Sequence, residues 1–388
     1  MLALFLVKMM KIYDYQYFLK VIVRSRQEDI ESLIDNKDSL YEFFEIPKKN
    51  GMRVIHTLVK NSGGNKLKVV QSNLYQNFLC KLPIATPAYG FVKGKNYQSF
   101  LEPHLGNTFF MRLDIENFFP SFSVSLMDTV LHEHIEDDNA RFNVIQLCTL
   151  HDELPQGICT SPVLSNILFR RVDQRILKFC QTIEEGRRRN NDPGSVPEEK
   201  IVIRYTRYAD DMLFSSNCFD FGENLNFLWM IRRILKENGF QINKQKTVIG
   251  RERVVLNGYV LDNKLHLSRM KLQNIRRILY FFRDKNTEEY KIDQKLFPPP
   301  TAPDKKIILQ KMLQDLNNLN LQKHSEKIVF SSISKLIQYL CGYRSWLIAI
   351  LQTGDGRANV DKKILRFLNH IEILLKELEK YESLVKEE

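Results

Sequence analysis

The stretch Arg204-Tyr-Thr-Arg-Tyr-Ala-Asp-Asp-Met-Leu-Phe214 places two adjacent carboxylates, Asp210 and Asp211, between two runs of strand-forming residues. Neighbouring residues of a strand face opposite sides of the sheet, so a strand interior is a poor place for a carboxylate pair. A two-residue turn at Ala209-Asp210 solves this problem, because it pushes a carboxylate out of the tip of a β-hairpin, where a hard cation could bind it. The alternative is an ordinary Asp-rich turn without a chemical role.

Composition sets broad limits on the protein. The chain has 388 residues, of which 44% are hydrophobic, enough to build two or three packed subdomains. Its net charge of +11 favours a polyanionic partner. The six cysteines are scattered without a Cys-x-x-Cys pair, which argues against a zinc site or a disulfide framework and is typical of a cytoplasmic protein. The apolar residues 1–7 are too short to cross a bilayer, so we expect no membrane and a strand or helix start packed on the body.

One part of the chain has a one-sided charge. Residues 46–101 contain nine Lys or Arg residues and no Asp or Glu. A globular surface normally mixes both signs, so this stretch is expected to face phosphates. Before it, residues 11–45 have the apolar spacing of helices. Within it we predict a strand at 53–59, a helix at 67–82 and a Gly-punctuated loop at 89–95, which offers backbone amides and the ammonium groups of Lys93 and Lys95.

The middle of the chain alternates strands and helices. A predicted strand at 109–115 contains Asp114, and a helix follows around 124–134. The loop at 154–162 opens a long helix at 163–182, with Ser161 as its N-cap. Residues 184–200 are predicted to form an exposed loop. After the hairpin we predict a helix at 223–238, a strand at 247–249 and a further hairpin at 254–267. Helices follow from 268, interrupted by a Pro-rich connector at 297–303, and the last one covers 361–386.

This order of elements predicts an α+β fold, with helices on one face of an antiparallel sheet. If the strand that carries Asp114 lies beside the hairpin, the carboxylates of Asp114, Asp210 and Asp211 meet at one place on the sheet. Three such acids repel one another unless cations are bound. Two Mg²⁺ ions held there would suit the in-line attack of a hydroxyl group on the α-phosphorus of a triphosphate.

Three motifs in this order carry a resemblance to a known family. Asp114-Ile-x-x-Phe-Phe-Pro-Ser121, Leu154-Pro-Gln-Gly-x-x-x-Ser-Pro162 and Tyr208-Ala-Asp-Asp211 resemble the motifs of reverse transcriptases. The resemblance runs from about residue 53 to about residue 351, and it is greatest to bacterial retron, abortive-infection and other defence-associated enzymes of unclassified groups. It implies a right-hand polymerase with an N-terminal helical segment (1–45), fingers (46–107 and part of 122–153), a palm (108–121 and 154–267) and a helical thumb with a C-terminal extension (268–388).

The resemblance also implies roles for single residues. Asp114 and Asp210 would be the paired ligands of two Mg²⁺ ions, for which Mn²⁺ could substitute, with the carbonyl of Ile115 as a backbone ligand and Asp211 as a weaker third carboxylate. Lys246 would protonate the departing pyrophosphate, and Lys244 is its rival.

Further residues are expected to bind nucleotides and nucleic acid. Arg53 and Lys68 would clamp the triphosphate, and Gln156 and Gly157 would lie against the incoming nucleotide and the template. Phe119 would exclude a ribose 2′-hydroxyl, with plain core packing as the alternative. The expected nucleic-acid contacts are Lys93, Lys95, Tyr208 and the primer-gripping turn at Asn257-Gly258.

The function implied is an RNA-templated DNA polymerase in antiphage defence. Its partners would be an RNA template, expected to be a dedicated non-coding RNA, a DNA product, dNTPs and a partner protein or a second copy of the chain. Phe100-Leu-Glu-Pro-His104 and Leu256-Asn-Gly258 replace the usual retron forms Asn-Ala-x-x-His and Val-Thr-Gly. They favour a related defence-type enzyme over a retron enzyme that makes branched RNA-linked DNA. The residues also leave open protein-primed or template-independent synthesis, an RNA-synthesising polymerase and a catalytically silent RNA-binding scaffold.

Overall fold

The computed structural model describes residues 11–47, 51–189, 201–285, 291–297, 302, 304–323, 326–352 and 362–386. The predictions for residues 1–7 and for most of the Pro-rich connector therefore lie outside the described residues. The chain divides into two compact units, one ending at Arg253 and the other beginning at Val254. This division precedes the hairpin at 254–267 that we assigned to the palm, and the domain bounds themselves stay predictions.

The first unit contains seven strands and nine α-helices in its described part. The strands are β1 (Tyr41–Pro47), β2 (Met52–Leu58), β3 (Phe109–Glu116), β4 (Arg204–Tyr208), β5 (Asp211–Ser216), β6 (Gln241–Ile242) and β7 (Val248–Arg251). The helices are α1 (Tyr15–Tyr17), which continues as a π-helix over Phe18–Val23, α2 (Gln27–Asp35), α3 (Ser62–Asn77), α4 (Tyr97–Leu101), α5 (Val124–Leu131), α6 (Asp138–Cys148), α7 (Ser161–Leu168), α8 (Arg170–Arg189) and α9 (Leu225–Glu237). Short 3₁₀ turns occupy Lys37–Leu40, Leu79–Lys81, Glu102–His104 and Lys244–Lys246.

The central sheet has the strand order β4-β5-β3-β6, and β7 also pairs with β3. All of these pairs are antiparallel. Every residue of β5 is buried, as expected for an interior strand that pairs with β4 on one side and β3 on the other. Helices pack on the sheet through aromatic rings. The ring of Phe227 on α9, for example, lies 5.4 Å from that of Phe214 on β5. The predicted α+β class with an antiparallel sheet is confirmed.

A second aromatic cluster joins β3 to the helices that follow it. The rings of Phe118, Phe122, Phe169 and Phe240 lie 4.8 to 6.4 Å apart in mostly edge-to-face contacts. Such pairs contribute about 0.5–1.5 kcal/mol each beyond the burial of their area. The cluster therefore fixes the backbone that follows Asp114.

A buried histidine ties the hairpin strands to the segment before β3. The two ring nitrogens of His104 lie 2.6 Å from Oγ of Ser215 on β5 and 2.7 Å from Oγ1 of Thr206 on β4. Burial lowers the pKa of His104 to about 3, and the charge of Arg204 adds to this shift. His104 is therefore held neutral as a structural bridge.

Several predicted bounds were wrong. The helical interpretation of residues 11–45 fails at Tyr41, where β1 begins, because the backbone there pairs with β2 over seven residues. The predicted long helix at 163–182 is two helices that meet at Phe169, and α8 continues through residues 184–189, which were expected in a loop. Thr160, rather than Ser161, is the N-cap residue of α7. The hydroxyl of Ser161 donates to the carbonyl of Pro155 instead.

The second unit begins with the predicted hairpin and is otherwise mainly helical. Its described strands are β8 (Val254–Leu256), β9 (Tyr259–Leu261), β10 (Leu265–Leu267), β11 (Gln322–Lys323) and β12 (Glu326–Lys327). Its α-helices are α10 (Arg269–Phe281), α11 (Lys305–Asn317), α12 (Ile333–Gln352) and α13 (Lys362–Lys386), with a 3₁₀ turn at Gln294–Leu296. The small β11–β12 ladder corrects the expectation of helices throughout. Within the described part of the chain, every helix lacks the combination of length and hydropathy that crossing a bilayer requires.

Candidate active site

The hairpin turn has the predicted form. Tyr208 pairs with Asp211 as the last rung of the β4–β5 ladder, so Ala209 and Asp210 alone form the loop. Ala209 adopts φ 55°, the left-handed conformation that a tight two-residue turn requires. The turn therefore places Asp210 at the tip of a hairpin whose strands are largely buried.

The strand that carries Asp114 lies beside this hairpin. Asp114 on β3 is the direct partner of Asp211 on β5 in the antiparallel register. One residue further along, the N–H of Ile115 donates to the carbonyl of Asp210 at 3.0 Å. Residues distant in sequence thus meet at one end of the sheet, as the order of elements predicted.

The electrostatics of the site reflect this crowding. Burial raises the pKa of Asp210 to about 6, and the negative charges of Asp211 and Asp114 add to the rise. Burial also raises the pKa of Asp211, although the guanidinium of Arg112 opposes that shift. A buried carboxylate beside two others has a high cost of ionisation, which a bound cation would lower.

Two cationic side chains contact the carboxylates in different ways. Nζ of Lys246 lies 3.0 Å and 2.8 Å from the two carboxylate oxygens of Asp114, and the Lys246 side chain is 55% exposed. Nε and Nη2 of Arg112 donate to Oδ1 of Asp211 at 3.0 Å and 2.6 Å, and this arginine side chain is only 18% exposed. Asp211 is therefore held by a largely buried partner, whereas the partner of Asp114 can move into solvent.

The acidic side chains at this end of the sheet are candidate ligands for a divalent cation. No group of three or more His, Cys, Asp or Glu side chains within the described ranges is arranged to hold a metal. The resemblance to reverse transcriptases implies metal ions here, and carboxylate oxygens are the donors that hard cations such as Mg²⁺ prefer. Burial, and after it the charges of Asp211 and Asp114, raise the pKa of Asp210, so a bound cation would favour its ionised form. The donor set of Asp114 and Asp210 therefore fits a hard divalent cation.

The residues expected to contact the nucleotide form two groups, of which the first is Phe119 and the rings beside it. Phe119 is partly exposed, with its ring 5.5 Å from that of the buried Phe118 and 6.0 Å from that of Phe91. It therefore offers a surface that a sugar could contact, while its packing leaves the structural alternative open.

The second group joins β2 to the loop before α7. The N–H of His56 donates to the carbonyl of Gln156 at 2.7 Å. Gly157 has φ 118°, and a Cβ atom there would lie 2.2 Å from the carbonyl oxygen of His56. Only glycine permits this approach. Arg53, which is exposed, lies on the same strand, β2.

Lys68 lies near the same loop. Burial raises the pKa of Cys159, two residues after Gly157, and the charge of Lys68 partly opposes the rise. The structure therefore brings the predicted triphosphate cations and the predicted nucleotide-binding loop into one region.

The predicted nucleic-acid contacts differ in their availability. Lys93 is exposed. Nζ of Lys95 instead donates to the carbonyl of Ala88 at 2.9 Å and lies 4.0 Å from the ring centroid of Tyr89. The ring of Tyr208 lies 5.0 Å from that of Tyr97, in an aromatic cluster that also includes Phe91 and Phe100.

Asn257 and Gly258 form the turn between β8 and β9 in the second unit, and both have positive φ, 45° and 84°. Nζ of Lys271 donates to the carbonyl of Asn257 at 3.0 Å. The predicted primer-gripping residues therefore occupy a tight hairpin turn.

Sequence reasoning missed two residues at the site, Arg112 and Phe91. Arg112 stands two positions before Asp114, and that spacing puts both side chains on the same face of β3. Phe91, with φ 62°, lies in the predicted Gly-punctuated loop and places its ring between those of Phe119 and Tyr208. The alternation of β3 could have identified Arg112, whereas no local pattern identifies Phe91.

An antiparallel sheet with helices packed on it, and acidic side chains gathered at the end of two paired strands, define a polymerase-type palm. Residues 46–270 match the family described as reverse transcriptase (RNA-dependent DNA polymerase). Because this match covers more than half of the chain, the chain belongs to the reverse transcriptase family.

Curated relatives extend the comparison. Over 273 residues the chain is 26% identical to the retron Mx65 reverse transcriptase of Myxococcus xanthus, covering 62% of this chain and 55% of that protein. It is 27% identical over 266 residues to the retron Ec86 reverse transcriptase of Escherichia coli, covering 67% of this chain and 76% of that protein. The chain thus spans about half the length of the first relative. The predicted resemblance to retron reverse transcriptases is confirmed.

A solved structure of telomerase from Candida albicans, bound to a fragment of telomeric RNA, aligns with 93% of this chain and 67% of its own, with 13% identity and a TM-score of 0.40. A score of this size defines no fold by itself.

Proposed function

We propose that this chain is an RNA-directed DNA polymerase that extends a primer with dNTPs. The single observation that carries the proposal is the register of β3 and β5, which brings Asp114 against Asp211 and beside the turn that carries Asp210. The family match from residue 46 to residue 270 supports the reaction class. A scaffold that only binds RNA would gain nothing from keeping three mutually repelling carboxylates together.

In this proposal Asp114, Asp210 and the carbonyl of Ile115 hold two Mg²⁺ ions, or Mn²⁺ in their place, with Asp211 as a weaker contributor. When bound, such ions supply Lewis-acid stabilisation to the attacking and leaving oxygens. Asp211 is already paired with Arg112, which supports its lesser role. Lys246 holds a proton at Nζ and is half exposed, so it can leave Asp114 and donate that proton to the departing pyrophosphate.

The remaining residues bind and select the substrates. Arg53 and Lys68 clamp the triphosphate through charge-assisted hydrogen bonds. The close approach of Gly157 to β2 positions Gln156 against the nucleotide. The ring of Phe119 selects deoxyribose by excluding a 2′-hydroxyl. Lys93, Lys95, Tyr208 and the Asn257-Gly258 turn contact template and primer.

We further propose that the template is a dedicated non-coding RNA and that the DNA product serves antiphage defence. The net charge of +11 supports a polyanionic partner. The retron relatives favour an enzyme of retron type, whereas Phe100-Leu-Glu-Pro-His104 and Leu256-Asn-Gly258 favour another defence-type reverse transcriptase. The cytoplasmic location and a partner protein or second copy stay predictions.

Primer extension tests the proposal. The purified chain should incorporate labelled dNTPs on a primed RNA template with Mg²⁺, and Asp210→Ala and Asp114→Ala should each abolish incorporation, because each removes a cation ligand. Asp38→Ala is the matched control, since the Asp38 side chain is 74% exposed and lies on the 3₁₀ turn before β1. Incorporation by Asp210→Ala at the wild-type rate would refute the assignment of the site. RNA binding without any incorporation by the wild-type chain would favour the scaffold.

A further inference from the structure

Arg207 is completely buried, although its guanidinium carries a full charge. It lies on β4, three residues before Asp210. An arginine is rarely buried without compensation, because removing its charge from water costs several kcal/mol unless it is paired and hydrogen-bonded. Arg207 has no role in the proposed reaction, so another function must account for its buried position.

Three groups hold the guanidinium in one orientation. Its Nε lies 3.0 Å and Nη2 2.8 Å from different carboxylate oxygens of Asp173 on α8, a fork that fits the planar guanidinium. Nη2 also donates to Oδ1 of Asn166 at 3.1 Å. The guanidinium carbon lies 4.5 Å from the ring centroid of Phe169. These contacts leave the group no freedom to rotate.

The remaining nitrogen of the guanidinium, Nη1, reaches the Ala209-Asp210 turn. Nη1 of Arg207 donates to the carbonyl of Ala209 at 3.1 Å. Ala209 adopts φ 55°, which is unfavourable for a residue with a Cβ atom. The hydrogen bond therefore stabilises the one backbone conformation that decides where the next residue, Asp210, points.

The same network holds a second segment against the turn. The N–H of Arg207 donates to the carbonyl of Pro87 at 2.7 Å, and the N–H of Tyr89 donates to the carbonyl of Arg207 at 2.8 Å. Nδ2 of Asn166 donates to the carbonyl of Gly90 at 2.8 Å. A Cβ atom on Gly90 would lie 2.5 Å from the backbone nitrogen of Ala209, so this segment closes directly over the turn.

We propose that Arg207, held by Asp173 and Asn166, is a positioning residue that keeps the Ala209-Asp210 turn in the conformation in which Asp210 binds a divalent cation. The inference rests on the proposed role of Asp210 as a cation ligand. In this role Arg207 acts through the carbonyl of Ala209.

Two substitutions separate positioning from general stability. Arg207→Lys keeps the positive charge beside Asp173, but a single ammonium group cannot reach Asp173, Asn166 and Ala209 together. Tyr205→Phe is the matched control in the same network, because it removes the hydroxyl that donates to Asp173 at 2.7 Å and leaves the bond from Arg207 to Ala209 in place. Urea unfolding of both variants measures how much each substitution lowers the free energy of unfolding.

The test is Mn²⁺ binding to the full chain without nucleotide, followed by electron paramagnetic resonance, in wild type, Asp210→Ala, Arg207→Lys and Tyr205→Phe. We expect Arg207→Lys to raise the Mn²⁺ dissociation constant about tenfold, and Tyr205→Phe to leave it within about twofold of wild type. If Arg207→Lys does not fold, Asn166→Ala, which keeps the buried ion pair, takes its place with an expected rise of about threefold.

Each remaining outcome refutes one claim or the other. If Asp210→Ala loses Mn²⁺ while Arg207→Lys and Asn166→Ala bind it as wild type does, Arg207 has no positioning role. The same conclusion follows if Tyr205→Phe weakens binding as much as Arg207→Lys. If wild type and Asp210→Ala bind Mn²⁺ equally, the proposed cation role of Asp210 is wrong, and the inference falls with it.

Discussion

The first unit contains two β-hairpins of opposite character. In the β4–β5 hairpin every residue of β5 is buried, and Phe214 has no exposed surface. In the β1–β2 hairpin most side chains are exposed, and Phe43 is 70% exposed. A buried hairpin can present functional groups only at its tip, where the surrounding core fixes them. An open hairpin can present functional groups along its whole length, but no surrounding core holds those groups in one geometry. The first design suits cation ligands, and the second suits a long nucleic acid.

The largest expected difference between the two hairpins is in how much the loss of a phenylalanine ring lowers the free energy of unfolding. Phe214→Ala should lower the free energy of unfolding by about 3–5 kcal/mol, because it leaves a cavity between Tyr205 and Phe227. Phe43→Ala should change it by less than about 0.5 kcal/mol. Urea unfolding followed by circular dichroism measures both. A loss above about 2 kcal/mol for Phe43→Ala, on the order of a core substitution, would mean that the β1–β2 hairpin is covered in solution.

A smaller effect is expected where β2 meets the loop before α7. Gly157→Ala should cost about 1–3 kcal/mol and raise the KM for dNTPs, because its Cβ atom would collide with the carbonyl of His56 and displace the loop. Gly94→Ala is the matched control, since Gly94 also has positive φ, 79°, but has no heavy atom within 4 Å of the added Cβ. Equal KM values for the two variants would contradict the proposed role of this contact.

Near neutral pH the smallest expected effect is the dependence of the unfolding free energy on pH. Burial lowers the pKa of His104 from 6.5 to about 3, so between these values the unfolded chain binds a proton that the folded chain does not. The contribution of His104 to the free energy of unfolding is fully present above pH 6.5. It declines by about 1.4 kcal/mol per pH unit as the pH falls towards 3. His104→Gln should remove this slope from the unfolding free energy, whereas substitution of His151, which is 73% exposed, should leave it unchanged. An unaltered slope in His104→Gln would show that other groups cause it.

The sequence predicted the buried hairpin better than the open one, for a physical reason. The two-residue turn and the pairing of the Asp114 strand follow from local residue types and from the order of elements. Residues 41–45 of the strand at Tyr41–Pro47 were predicted as helix, because the pairing with β2 is a tertiary contact that overrides local apolar spacing.

Other parts of the site were beyond local reasoning as well. The ion pair between Arg112 and Asp211 joins two strands. The alternation of β3 places Arg112 on the same face as Asp114, but it does not identify Asp211 as its partner. Arg207 was missed because an arginine on a strand is normally exposed, and its partners Asp173 and Asn166 lie on helices more than thirty residues earlier. The break between α7 and α8 depends on how Phe169 packs against Phe240.

The central claim is that Asp114 and Asp210, from distant parts of the chain, share one cation site. Iron-directed backbone cleavage tests it most directly: the chain is loaded with Fe²⁺, treated with ascorbate and peroxide, and its fragments are mapped by mass spectrometry. The account predicts cuts near residue 114 and near residues 209–211, suppressed by excess Mg²⁺ and absent in Asp210→Ala. Cuts at only one of these segments, or cuts that persist in Asp210→Ala, would contradict it.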